Sequence, residues 1–234
     1  MDRLTRKELK KDKFALEVGH TVEFLETHRR QLIRYGAIAV AAILVAAGLF
    51  YYNLRQHEAR QEALRAALDA MQAPIGASPA PGILTFASPE EKARAVTKAF
   101  ADLAAKYPGS DEGTIAEYYL GTMALEQGRL DEAAKRLTEV AGAGNQNYAS
   151  LAKLSLADIY ASQGKTAEAE KLLRQLVAKP TIMVSKVEAT ITLAQLIAPT
   201  KPDEARKLLE PLRSEPGALG RAATAAYDNL PVKR

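Results

Sequence analysis

The residues able to do chemistry in this chain are few and scattered. Its three histidines are His20, His28 and His57, and there is no cysteine. A metal site needs several donors converging on one point. His20 and His28 stand eight residues apart with no acidic or thiol partner converging on them. His57 sits among solvated charges at the edge of an apolar run. Without cysteine there is no thiol nucleophile, thiolate ligand or disulfide framework, and nothing is said about redox compartment. No Gly-rich phosphate loop, His-Glu-x-x-His pair or nucleophile elbow occurs. The acidic pairs Asp131-Glu132 and Asp203-Glu204 fall at expected helix starts, where negative charge answers the helix dipole. The expectation is a protein with no catalytic residue, cofactor or metal, which works by holding other proteins.

What must position a binding surface is an echo in the second half of the chain. Ala133, Ala169 and Ala205 are 36 residues apart, each inside the same phrase. The phrases run Asp131-Glu132-Ala133-Ala134-Lys135-Arg136-Leu137, Ala167-Glu168-Ala169-Glu170-Lys171-Leu172-Leu173 and Asp203-Glu204-Ala205-Arg206-Lys207-Leu208-Leu209. A period of this length marks stacked supersecondary units, which bury a continuous core only by stacking. Where two antiparallel helices cross closely, anything larger than alanine pushes the backbones apart. The three alanines therefore mark crossings, with Leu137, Leu173 and Leu209 filling the seam one turn on.

Turn signals divide the units into helices. Pro74–Ser88 holds Pro74, Pro79 and Pro81 with two glycines, and is expected to be a loop. Ser88-Pro89-Glu90-Glu91 opens a helix that runs to about Lys106. Hairpins are then expected over Thr114–Gln127 with Leu130–Ala141, Tyr148–Gln163 with Thr166–Ala178, and Val184–Ile197 with Pro202–Leu212. Gly128 and Gly164 close the first helix of the first two pairs, and Pro199-Thr200-Lys201-Pro202 replaces glycine in the third. A last helix, Leu219–Asn229, would cap the stack.

Upstream lies a different kind of segment. Tyr35–Leu54 has 20 residues and no charge. At ~1.5 Å per residue it spans ~30 Å of helix, the thickness of a bilayer's hydrocarbon core. Tyr35 and Tyr51-Tyr52 mark its edges, where amphipathic rings prefer the headgroup level. A cleaved signal peptide is disfavoured, because the preceding region is long and rich in acids. Of the net charge of +4, residues 1–34 hold +3. Arg29, Arg30 and Arg34 precede the span, whereas Arg55, Arg60 and Arg65 alternate with Glu58, Glu62 and Asp69. The richer basic side is expected to stay cytoplasmic. The basic balance is thus a membrane flank, and no aromatic-interleaved basic stripe argues for nucleic acid. Phe14, Val18, Val22 and Leu25 form an apolar stripe before the span, suited to an anionic membrane surface or a cytoplasmic partner. Ala37/Ala41 and Ala42/Ala46 would let another helix approach the span.

The expected fold is all-α: a single transmembrane helix followed by a helical-hairpin solenoid. The expected division is a basic, amphipathic arm (1–34), a transmembrane helix (35–54), a juxtamembrane helix with a Pro/Gly loop (55–87) and a repeat domain (88–234). Leu120-Gly121, Gly128, Ala133 and Leu137 with their copies resemble the tetratricopeptide repeat. Leu103-Ala104-Ala105-Lys106-Tyr107-Pro108-Gly109-Ser110, followed by Ala116-Glu117-Tyr118-Tyr119-Leu120-Gly121, resembles the form common in bacterial envelope proteins. Glu117 and Lys153 stand where that repeat usually has an aromatic residue, and Ala157 and Leu193 stand where Gly121 stands. A short basic arm, one span and a C-terminal repeat array is similar to the ancillary subunit family of the SecYEG translocon.

That resemblance implies a single-pass inner-membrane protein with a cytoplasmic N-terminus and periplasmic repeats. Its expected partners are Sec translocon subunits, translocating polypeptides and periplasmic chaperones, with no nucleic acid or small-molecule substrate. Repeat positions imply a concave binding face of Tyr118, Thr122 and Leu125, then Leu151, Leu154 and Asp158, then Val187, Thr190 and Ala194. Two other readings stay open: a general envelope scaffold for assembly or division complexes, and a cytoplasm-facing adaptor of inverted topology.

Overall fold

A computed structural model describes residues 6–76 and 82–231, with the side chains of 6–29, 32 and 53 also outside the described set. The expected stripe Phe14, Val18, Val22 and Leu25, and His20 and His28, therefore lie outside the described side chains. Among the described residues the secondary structure is helical apart from one isolated bridge. The helices are α1 (Arg6–Gln72), α2 (Pro89–Lys106), α3 (Asp111–Glu126), α4 (Leu130–Ala141), α5 (Gln146–Ser162), α6 (Thr166–Ala178), α7 (Lys186–Ile197), α8 (Pro202–Leu209) and α9 (Gly217–Asp228). A 310 turn, Glu210–Ser214, follows α8.

The chain divides into two compact units, Met1–Glu58 and Ala59–Arg234. The first is the greater part of α1. Its described apolar side chains face outward, for example Ile33 at 60% exposure and Phe50 at 71%. Ile33–Gln72 contains a stretch long and apolar enough to cross a membrane. At its end Arg55 Nε donates to the Tyr51 hydroxyl at 3.0 Å, and Gln56 donates to the Tyr52 hydroxyl at 3.1 Å.

The second unit is a stack of antiparallel helices, each packed on the next in sequence. Its first layer joins Ala67 and Ala70 of α1, and Ala73 just beyond it, to Phe100 and Leu103 of α2 and Leu120 of α3. Arg60 reaches the largely buried carboxylate of Glu112 at 3.3 Å, so the first turn of α3 is tied by charge to the last part of α1. The Pro/Gly segment between α1 and α2 closes on itself through a parallel bridge between Ile75 and Phe86. Gly76 N–H donates to Phe86 O at 2.9 Å, and Phe86 N–H donates to Pro74 O at 3.1 Å.

The hairpin crossings follow the 36-residue period. Ala133, Ala169, Ala205, Leu137, Leu173 and Leu209 are all buried. At Gly121 a Cβ would meet Leu137 Cγ at 2.9 Å, so glycine is what lets α3 and α4 close there. The equivalent Ala157 and Leu193 are also buried, so the later crossings accept more bulk without turning those positions outward.

The elements differ most from expectation at two ends, each by three residues. α3 begins at Asp111, not Thr114, because Ser110 caps it: Gly113 N–H donates to Ser110 Oγ at 3.0 Å. Gly113 is needed where it stands, since a Cβ there would lie 2.1 Å from Tyr107 O. α8 ends at Leu209, short of Leu212, where Pro211 withdraws an N–H and the chain tightens into the 310 turn.

Candidate functional site

The first helices of successive hairpins, α3 and α5, lie side by side and carry a row of aromatic rings. Phe100 of α2 stacks on Tyr119 with centroids 4.8 Å apart. Tyr119 meets Tyr118 edge-on at 5.7 Å, and Tyr118 meets Tyr148 of α5 edge-on at 5.4 Å. Edge-on and offset geometries suit the ring quadrupole and leave faces and hydroxyls available along the row. Ser155 lies beside the Tyr118 phenol, and Tyr119 beside that of Tyr148. The row thus bridges α2, α3 and α5 by ring packing.

Electrostatics mark the same row as partly desolvated. Burial raises the Tyr118 phenol. Burial, with help from the Tyr119 phenol, pushes Tyr148 up to about 12. Asp158, nearly three turns beyond Tyr148 along α5, is exposed to solvent, yet its carboxyl is raised by desolvation.

The nine expected face residues divide by hairpin. On α3, Tyr118, Thr122 and Leu125 are half-buried, and Thr122 Oγ1 donates to Tyr119 O at 2.9 Å. On α5, Leu151 and Leu154 are half-buried and Asp158 is exposed. On α7, Val187 is half-buried, but Thr190 is 6% exposed and Ala194 is fully buried. Thr190 also donates its hydroxyl to Lys186 O at 2.7 Å. Thr190 and Ala194 therefore offer no surface, because α7 is covered by α6, α8 and α9. The expected face positions that reach the surface are those on α3 and α5, with Val187 on α7. The pattern of repeat positions missed Tyr119, Tyr148 and Ser155. Their signal was the clustering of Tyr118, Tyr119 and Tyr148 in a chain otherwise poor in aromatics.

Among the described residues no group of His, Asp and Glu is placed to hold a metal ion. His57 belongs to the α1 part of the first unit, away from the tyrosine row in sequence and in unit.

Three comparisons bear on this geometry. The chain belongs to the tetratricopeptide repeat-like domain family, whose profile matches residues 30–181. Two crystal structures of nearly identical TPR-like repeats, from a candidate kinesin light chain of Podosopora anserina, are similar to it in fold. Each is 15% identical, with a TM-score of 0.51, covering 71% of this chain and 82% of that one. No curated protein matches the sequence. At that identity the likeness concerns the fold. Repeats of this kind are typically non-catalytic scaffolds that bind protein partners.

Proposed function

We propose that this protein is anchored in a membrane by the apolar part of α1 and holds protein partners in the recess between α3 and α5. The observation that carries this reading is the tyrosine row, Tyr119, Tyr118 and Tyr148, which bridges α3 and α5. Rigid rings supply contact area at little entropic cost, and tyrosine hydroxyls pair with the backbone of an extended or helical segment. Anchoring is supported by the outward-facing apolar side chains of α1, which no other part of the described chain covers. The family match begins at residue 30, so the apolar stretch lies inside the family's pattern and not beside it.

The finer reading is an accessory to the Sec translocon in the inner membrane, with a cytoplasmic N-terminus and periplasmic repeats that contact exported chains or periplasmic chaperones. It rests on the arrangement of arm, span and repeats and on the basic residues before Tyr35. The test is a crosslinked, detergent-solubilised pulldown of the full chain against a version whose span is replaced by an unrelated one. Translocon core subunits copurifying only with the native span is the expected result. Identical partners with both spans would make the helix a simple tether and the protein a general envelope scaffold.

A further inference from the structure

α5 presents a second surface on the side away from Tyr148, Leu151 and Ser155. With about 100° between successive residues, Gln146, Ala149 and Lys153 fall on nearly the opposite side of the helix. They line a half-open hollow of 370 Å³, closed on its other wall by Leu176 and Lys179 at the end of α6 and by Thr181. Neither the Lys153 nor the Lys179 ammonium has an ion pair or hydrogen bond among the described residues.

Beside the hollow the chain between α6 and α7 is pinned. Ser150 Oγ donates to Asn147 O at 2.7 Å, so the 2.7 Å contact between Ser150 Oγ and Thr181 Oγ1 has Thr181 as donor. Thr181 Oγ1 accepts from Val184 N–H at 3.1 Å, and Thr181 N–H donates to Val184 O at 2.9 Å. This fixed turn holds Ile182 out in solvent at 87% exposure, with Met183 at 45%. The result is an apolar knob next to two unpaired cations.

The 36-residue period supplies an internal contrast. One repeat earlier the same position forms a smaller hollow of 210 Å³. There Glu117 replaces Lys153, Ala143 replaces Lys179, and Gln146 and Asn147 replace Ile182 and Met183. One repeat later Ala189 replaces Lys153 and is buried. The scaffold repeats, whereas the basic hollow with its apolar knob occurs at this hairpin alone among the three.

We infer that this site binds an extended segment of a partner protein in which an acidic side chain is followed by an apolar one. The carboxylate sits between Lys153 and Lys179, where two ammonium groups give charge-assisted hydrogen bonds. The apolar side chain covers Ile182 and Met183. The neighbouring hollow carries Glu139 and the Arg136-paired Glu117 and has no lysine in its lining, so it offers the same carboxylate no ammonium and confines it to this repeat.

The test uses the full chain in neutral phosphatidylcholine nanodiscs, with protein-free discs as blank. The probe is acetyl-Ser-Gly-Asp-Leu-Gly-Ser-amide carrying a neutral fluorophore, read by anisotropy. Versions with Asn or Lys in place of the Asp, and one with a free C-terminal carboxylate added to the Asn version, complete the set. The Asp peptide should bind roughly tenfold tighter than the Asn peptide. Lys153→Glu with Lys179→Glu should abolish that preference and transfer it to the Lys peptide, a rescue that misfolding would not give. Ile182→Ser should weaken the Asp and Asn peptides alike. Equal binding of Asp and Asn peptides, no binding of either, or a preference that survives the double reversal overturns the inference. So does recovery of full affinity by the terminal carboxylate, which would make the site a chain-end receptor. Tyr148→Ala should leave the peptide's affinity unchanged; a loss there would place the peptide in the tyrosine recess and overturn the inference while leaving the recess as a binding site.

Discussion

The second and third hairpins carry the same phrase at the same spacing but turn their corners by different means. After α5, Gly164 takes φ +75°. Its N–H donates to Ala161 O at 3.0 Å, and Lys165 N–H reaches back to Tyr160 O at 2.8 Å. The first hairpin does the same with Gly128 at φ +72°. After α7 no residue enters the left-handed region; Thr200 N–H and Lys201 N–H both donate to Ile197 O, at 3.1 and 2.7 Å. Lys201 then joins Glu170 and Arg174 of the preceding hairpin and Glu204 of its own in a surface ion-pair cluster. The comparison separates what the repeat needs from what it tolerates. The alanine and leucine at the crossing are kept, while the corner is set by glycine in two hairpins and by a Pro-flanked turn, with ion pairs to the previous repeat, in the third.

Breaking the shared part should cost most. Leu173→Ala and Leu209→Ala each remove a fully enclosed side chain and should lower stability by about 3 kcal/mol in thermal or chemical unfolding. A loss at Leu209 of only a few tenths would mean the third hairpin is not held by its seam. Gly121→Ala should come next, at about 1–2 kcal/mol, because the new methyl meets Leu137. Ala157→Gly, at the equivalent position, should cost about 1 kcal/mol through helix propensity and lost packing. Equal tolerance of alanine at both sites would show that the crossings have the same spacing.

The corners give smaller effects. Gly164→Ala should cost about 1 kcal/mol, since alanine is disfavoured at a positive φ. Thr200→Ala should cost less than about 0.5 kcal/mol. The smallest effect is electrostatic. Hydrogen bonds from Lys201 and then Arg174 hold the Glu170 carboxyl below its ordinary value. A depressed carboxylate contributes stability that is present above its unfolded value and lost as pH falls through the folded one. Glu170→Gln should therefore cost no more than about 0.5 kcal/mol near neutral pH, vanishing in high salt and in acid.

These elements also show what could be read in advance. The period, the crossings, the glycine stops and the loop after α1 were legible because each follows from a local rule about size or backbone freedom. The start of α3 was not, because Gly113 reads as a breaker until Tyr107 O is known to lie against it. The Ile75–Phe86 bridge depends on residues eleven apart meeting across a loop, which spacing alone does not announce. On the expected face, Tyr118 is half-buried and Asp158 exposed. Repeat positions alone did not reveal that Thr190 and Ala194 are buried on α7, which packs against α6, α8 and α9.

The tyrosine row also makes the chain its own reporter. The sequence has nine tyrosines and no tryptophan, so ultraviolet emission comes from phenols alone, unmasked by indole. As alkali is added, Tyr148 should hold its proton to about 12 because burial disfavours its phenolate. A partner entering the recess should change the emission of the coupled rings, giving a label-free optical readout of occupancy from the wall of the site itself.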